Sequence, residues 1–337
     1  MQKHPLSSRS NTADMSNDQL GPKVRLWGIA DRIAFEQHPD QHVPPLVSHI
    51  VTEAARFINT AAPKDSTTPM LFKHKSRKTP AGSTAPVSVS TRSIPKAVLD
   101  RIHRENPSVD RRGVKSETWV CRRSVHEDLS IRGTASWAEF RDCLKDRHAE
   151  TEKAFTPTMV AHQTVQEHLV VRDMEPVSVD GLRYGDFTCA TEGVRHKVAP
   201  CILQDRVFFV LQITCSVLDE ENATTAAHEF LVVNIPMADH PDSLDPQALY
   251  RGATLGAYAS VERIRILPAG HEDAGKIEWI MATASDAKGI LPRFAQDLAV
   301  PDQIVKDVPL FFDWIDSQRA PGAPEEPMSE ELSEPPR

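Results

Sequence analysis

Little in this sequence announces chemistry. There is no Gly-x-Ser-x-Gly elbow, no phosphate-binding loop and no dinucleotide fingerprint, which removes the enzyme classes that carry those motifs. The five Cys are scattered and include no Cys-x-x-Cys pair. That pattern argues against a disulfide framework and for free thiols in a reducing compartment. The N-terminus, Met1 to Pro5, leads into polar residues without an apolar signal core, and no apolar run is long enough to span a bilayer. A cytoplasmic protein is the expectation. Positive charge is not in excess: the net charge of −8 argues against general nucleic-acid binding. No internal repeat is visible.

What is present describes a globular chain. Its 337 residues, 40% hydrophobic and 26% charged, suffice for one large domain or two small ones. Residues 1–21 are polar and expected to be disordered, as is the acidic, Pro-rich tail 319–337. Leu26, Ile29 and Ile33 mark a short helix. A longer helix is predicted after Pro44-Pro45, with Leu46, Val47, Ile50, Val51, Ala54, Phe57 and Ile58 on one stripe. Residues 62–95 read as a mobile loop with a short strand at 87–91. Lys73, His74, Lys75, Arg77 and Lys78 cluster in that loop, either as a solvated surface or as a contact for an anionic membrane. Residues 97–105 suit a short helix.

Residues 118–125 form the first well-defined strand by this reading. Ser136-Trp-Ala-Glu139 is a capping box opening a helix that buries Trp137, Phe140, Leu144 and Phe155. Thr156-Pro157 then predicts a further helix through Val160, Thr164, Val165 and His168. From residue 170 the pattern becomes β, with strands expected at 183–197, 206–218, 228–236, 256–267 and 276–284. A hairpin connection at 220–224 and a long loop at 237–255 separate some of them. Strand follows strand without intervening helices, so the sheet should be antiparallel. In 206–218, Val207, Phe209, Leu211, Ile213, Cys215 and Val217 share one face. That face is expected to meet the closing helix, because its mate is polar.

The stretch from Lys276 to Trp314 organises the rest. Ile277, Trp279, Met281 and Thr283 alternate as a half-buried strand; Ile304, Val308, Phe311, Phe312 and Ile315 then form an apolar helical face. Val300-Pro301 should kink or interrupt that helix. The junction Asp286-Ala-Lys-Gly-Ile-Leu-Pro292 resembles the strand-to-helix junction of START lipid-binding domains. Trp119 to His126, Trp137 to Phe140, His196, Arg206 to Phe208, Tyr258 to Glu262 and Glu278 to Trp314 resemble, in order, a fungal START-like family of unknown function. The resemblance covers roughly residues 115–318. It implies an α+β class and a START-like helix-grip fold of the START/Bet v 1-like superfamily. In that fold a curved antiparallel β-sheet is closed by a long C-terminal helix over a hydrophobic cavity. Residues 22–114 are then an N-terminal helical extension carrying the basic loop, and 115–318 the START-like domain.

Several side chains stand out as candidates. Arg122, Ser124 and His126 alternate on one strand face and can orient a ligand headgroup, or can form a structural network. Glu262 shares a face with Tyr258, Ser260, Ile264 and Ile266 and needs a cationic partner if buried. Arg122 or Arg206 fits that role, whereas Arg263 points the other way. Leu211 and Trp279 complete the expected ligand-binding set. Asp286 suits a cap, and His196 a structural donor. His148 and Glu152 sit four apart on a helix, but no third and fourth ligand completes a metal set. No catalytic residue, metal or cofactor is assigned. The preferred function is binding, and by extension transfer, of a lipid or other apolar small molecule in an internal cavity. The alternatives are a cyclase- or hydrolase-like enzyme using His126 or Glu262 as acid or base, and an interaction module with a filled pocket.

Overall fold

A computed structural model describes residues 21–29, 38–64, 67–107, 114, 116–198, 204–218, 228–237, 249, 251–286 and 293–319. The alternating segments form strands of one sheet: β1 (Lys73–Lys78), β2 (Val87–Ile94), β3 (Glu117–His126), β4 (Met159–Glu167), β5 (Val177–Val179), β6 (Leu182–His196), β7 (Arg206–Val217), β8 (Glu229–Pro236), β9 (Thr254–Leu255), β10 (Ala257–Ile266) and β11 (Ile277–Asp286). The order is β1-β2-β3-β11-β10-β8-β7-β6-β4, with β5 beside β6 and β9 beside β7. Every pairing is antiparallel except β7 with β9. Among the described residues five α-helices accompany it: α1 (Pro39–Asn59), α2 (Lys96–Glu105), α3 (Trp137–Arg141), α4 (His148–Phe155) and α5 (Arg293–Gln318). This is an α+β arrangement, a mainly antiparallel sheet with a long C-terminal helix across one face. No helix among the described residues is long and apolar enough to cross a membrane.

The sheet is covered on both faces, and each cover has its own core. On one face lie α1 and α2. The α1 stripe of Val43, Val47, Ile50, Val51, Ala54 and Ile58 meets Phe209, Leu211, Ile213, Leu231, Val233 and Val261. On the other face Val305, Val308, Phe311, Phe312 and Ile315 of α5 meet Val120, Phe230, Ile264 and Trp279, with Phe140 of α3 and Phe155 of α4 beside them. The capping box at Ser136 is present, with Glu139 N–H donating to Ser136 Oγ and Ser136 N–H donating to Glu139.

Several expectations are corrected. The basic cluster is not a loop but the edge strand β1, paired with β2. Through β2 it joins β3, so residues 73–94 belong to the same sheet as the rest. Residues 21–29 form no helix; they run as a strap in which Leu26 N–H donates to Glu117 Oε1 and Ile29 bridges Met237. The helix predicted after Pro157 is β4, an edge strand on β6. Its β-branched Val160, Thr164 and Val165 favour a pleated surface over a helix. The first long helix starts at Pro39, with Pro44 and Pro45 inside it. α5 continues through Pro301 and Pro309, because packing of its downstream stripe offsets the backbone bonds those residues cannot make. The ends, Ile33, Cys201, the 287–292 junction, the 220–224 connection and most of 237–255 lie outside the described residues.

Candidate functional site

The even-numbered side chains of β3 and β10 and the odd-numbered ones of β11 point towards α5. Met281 is the register partner of Arg122 on one side and of Glu262 on the other, so the sheet sets the guanidinium and the carboxylate across one strand. Arg122 Nη2 donates to Glu262 Oε1 at 3.0 Å, and Trp279 Nε1 donates to the same oxygen at 2.6 Å. The guanidinium lies 4.0 Å from the Trp279 ring centroid. Both charges are buried, where an ion pair survives only with close geometry and further hydrogen bonds. Arg122 nevertheless keeps Nε and Nη1 without a partner.

Ser124 and His126 share this face but not this role. His126 Nε2 lies 2.7 Å from Ser124 Oγ. Its ring is packed 4.8 Å from Phe312, 6.0 Å from Phe140 and 6.3 Å from Trp279. Burial, reinforced by the Arg122 charge, pushes its pKa down to about 3, so it is a neutral core side chain. Leu211 is on the opposite face, beneath α1. The expectation that it faces the closing helix fails because both sheet faces are interior, and the more apolar one meets the more aliphatic helix.

Further titratable groups lie around the Arg122–Glu262 pair. Asp307 of α5 feels Arg122, Glu152 and Glu262; burial, with the two carboxylates against Arg122, raises its pKa to about 6. By surface accessibility it is half-buried. On α4, His148 lies 3.5 Å from Glu152, and His148 Nδ1 and Leu144 O are 2.9 Å apart. Burial opposes the charge on His148, but Glu152, with Glu262 behind it, lifts its pKa to about 9. Tyr258 is raised by burial and by the Glu152 and Glu192 charges.

The polar side of β7 explains itself here. Gln212 Nε2 donates to Asn234, and Asn234 Nδ2 donates to Ser260 at 3.1 Å, forming a ladder that leads towards Glu262. At its other end a pocket of about 360 Å³ opens between α4 and the strands, lined by His148, His162, Thr164, Glu192, Gln212 and Thr214 among others. There His162 Nε2 lies 2.8 Å from Glu192 Oε2, and Thr164 Oγ1 donates to Glu192 Oε1 at 3.2 Å. Sequence reasoning missed His162, Glu192 and Asp307. The period-two spacing of His162 and Thr164 was the available signal for the first. Among the described residues no group of three or more His, Cys, Asp or Glu stands together as metal ligands.

Comparison with known proteins adds the following. A family model described as "Protein of unknown function (DUF3074)" matches residues 119–315. No curated protein matches the chain. Human StAR-related lipid transfer protein 5 is similar in structure with a TM-score of 0.48 at 14% identity, over 80% of this chain and 97% of that one. Human STARD10 gives 0.47 at 11% identity, over 79% of each chain. The human StarD13 (DLC2) lipid transfer and protein localization domain gives 0.38 at 12% identity, over 72% of this chain and 90% of that one.

Proposed function

The chain belongs to this family of proteins of unknown function (DUF3074), and we propose that it binds one amphipathic, mostly apolar molecule of the lipid class between the sheet and α5. The observation that carries the reading is Arg122. It is 2% exposed, yet two of its nitrogens, Nε and Nη1, have no acceptor. An unsatisfied buried donor costs about 1–3 kcal/mol, more when charged, and a ligand oxygen would recover that cost. The facing Asp307 suits a hydroxyl or other donor on the same head, and the nearby rings of Trp279, Phe311 and Phe312 offer apolar surface to the rest of the molecule. The head is therefore a neutral hydrogen-bonding group rather than a carboxylate, because Glu262, Asp307 and Glu152 would repel a second anion.

A second reading is an enzyme on the same scaffold. The observation favouring it is the His162–Glu192 pair at the polar pocket, not His126, which is walled in by rings. A carboxylate-oriented imidazole beside open space is a competent proton acceptor.

The test removes both buried charges together, so that neither is stranded. The natively purified parent chain and the Arg122→Met/Glu262→Gln double variant are extracted, and bound small molecules are identified by mass spectrometry. The parent should carry near-stoichiometric lipid, and the folded variant about tenfold less. A parent that is empty and takes up no lipid after refolding, or a variant with an unchanged load, overturns the proposal. An altered small molecule in place of a lipid favours the enzyme.

A further inference from the structure

At the far edge of the sheet, β1 carries Lys73, His74, Lys75, Arg77 and Lys78 within six residues, and no acid. All five are exposed, and β1 pairs only with β2, so the strand ends the sheet. The pairing register slips between His74 and Ser76, leaving Lys75 at the irregularity. Lysines and a bulge on an edge strand also keep it from pairing with another sheet. That need is met by one or two charges and does not account for what surrounds them.

The surroundings are apolar and exposed. Met70, just before β1, is 67% exposed; Leu129 and Ile131, in the loop after β3, are 45% and 38% exposed. That loop touches the tip of the β1–β2 hairpin, where Thr84 N–H donates to Gly133 O at 3.0 Å. Arg132 is exposed in the same loop. Met70, Leu129 and Ile131 are three of the five exposed large hydrophobic side chains among the described residues. Exposed apolar side chains at both ends of a basic strip match the two demands of a peripheral membrane contact: charge for the anionic headgroups and a few side chains to enter the interface.

We propose that β1, with Leu129 and Ile131, docks the protein on an anionic lipid bilayer. Charge complementarity singles out this face, because the chain as a whole is acidic, with a net charge of −8. A bilayer fits better than nucleic acid: the six residues of β1 include no Phe, Tyr or Trp on which a base would stack. The contact stands whether or not a ligand fills the space under α5. Gly82, at the hairpin tip, lies against Asp313 and Pro309 of α5, so the docked edge adjoins the closing helix.

The experiment floats the full chain with phosphatidylcholine vesicles, with and without phosphatidylserine, at low and high salt. Binding should require phosphatidylserine and weaken with salt, since exposed charges are screened. Lys75→Gln/Arg77→Gln/Lys78→Gln should lower partitioning by up to about a hundredfold, because each surface charge is worth about fivefold. Lys75→Arg/Lys78→Arg should retain it, and Leu129→Ser/Ile131→Ser should reduce it further at high salt. Binding of the parent to pure phosphatidylcholine just as well, no binding to either vesicle, or an unchanged neutralised variant overturns the proposal. So does retention of a DNA duplex by this strip in place of the vesicles.

Discussion

Buried ionisable side chains set how this protein responds to pH, and they act in opposite directions. Glu278 lies between Arg263, Arg265 and Arg123, with contacts of 3.1, 2.7 and 2.6 Å. Burial alone would raise its pKa; the three guanidinium groups outweigh that and hold it at about 2. A folded pKa below the unfolded value of about 4.3 gives stability that is present above the unfolded pKa and lost as pH falls towards about 2, worth about 3 kcal/mol in all. His126, held neutral with a pKa of about 3, also favours the folded state above the unfolded value of about 6.5 and loses that contribution as pH falls towards 3. His148 has the reverse sign. Its pKa is raised to about 9, so its contribution is complete below about 6.5 and lost as pH rises through 9. Melting temperatures measured against pH should therefore decline on both sides of neutrality. His126→Gln should flatten the limb between pH 6.5 and 3, and His148→Gln the limb approaching 9. An alkaline limb unchanged in His148→Gln would show that the Glu152 pair does not stabilise the fold.

Among the elements, β7 separates what a pattern can say from what it cannot. Its alternation assigns Val207, Phe209, Leu211, Ile213 and Cys215 to one face, and the structure keeps them together beneath α1. Leu211→Trp consequently adds bulk to a closed core, where overpacking typically costs about 1–3 kcal/mol. The expected outcome is a lower melting temperature with lipid load per folded molecule unchanged; a stable variant with a lost load would return Leu211 to the ligand space. Parity along β3, β10 and β11 was legible in the same way, which is why Arg122, Ser124, Glu262 and Trp279 do share a face. Period two reports which side chains go together, but not which helix they meet when both faces are covered. β1 escaped because a strand built from lysines has no apolar alternation. β4 escaped because Thr156-Pro157 imitates a helix start, while the strand's residues are half-exposed at an edge. Asp307 is one turn from Phe311 on α5 and reads as solvent-facing in the sequence, whereas the structure brings it within electrostatic reach of Arg122 and Glu262.

For the molecule as a whole, the matched family segment and the folding unit are not the same length. The family model begins at Trp119, yet the chain before it supplies a helical layer and two strands. α1 closes one face of the sheet: Val43, Val47, Ile50, Val51 and Ile58 are buried against Leu211, Leu231, Val233 and Val261. β2 occupies the edge of β3 along seven residue pairs. The strap at 21–29 is tied in by charge as well, with Glu53 of α1 accepting from Lys23 and Val24, and Glu117 of β3 accepting from Leu26 and Trp119. A chain starting at residue 115 would leave a broad apolar sheet face in water and turn β3 into an open edge, two recognised routes to aggregation. It would also strand Arg123, Arg263, Arg265 and Glu278 under solvent instead of under the segment whose Ala62 carbonyl accepts from Arg263 at 2.8 Å. Residues 115–319 expressed alone should therefore aggregate or melt without a cooperative transition, whereas 21–319 should be soluble and unfold in one step. Size-exclusion chromatography and a thermal scan decide the matter. A monomeric 115–319 fragment with a sharp melt would mean that α1 and β2 cover a unit already able to fold, and that the α1 face tolerates water despite its Leu, Ile and Val side chains.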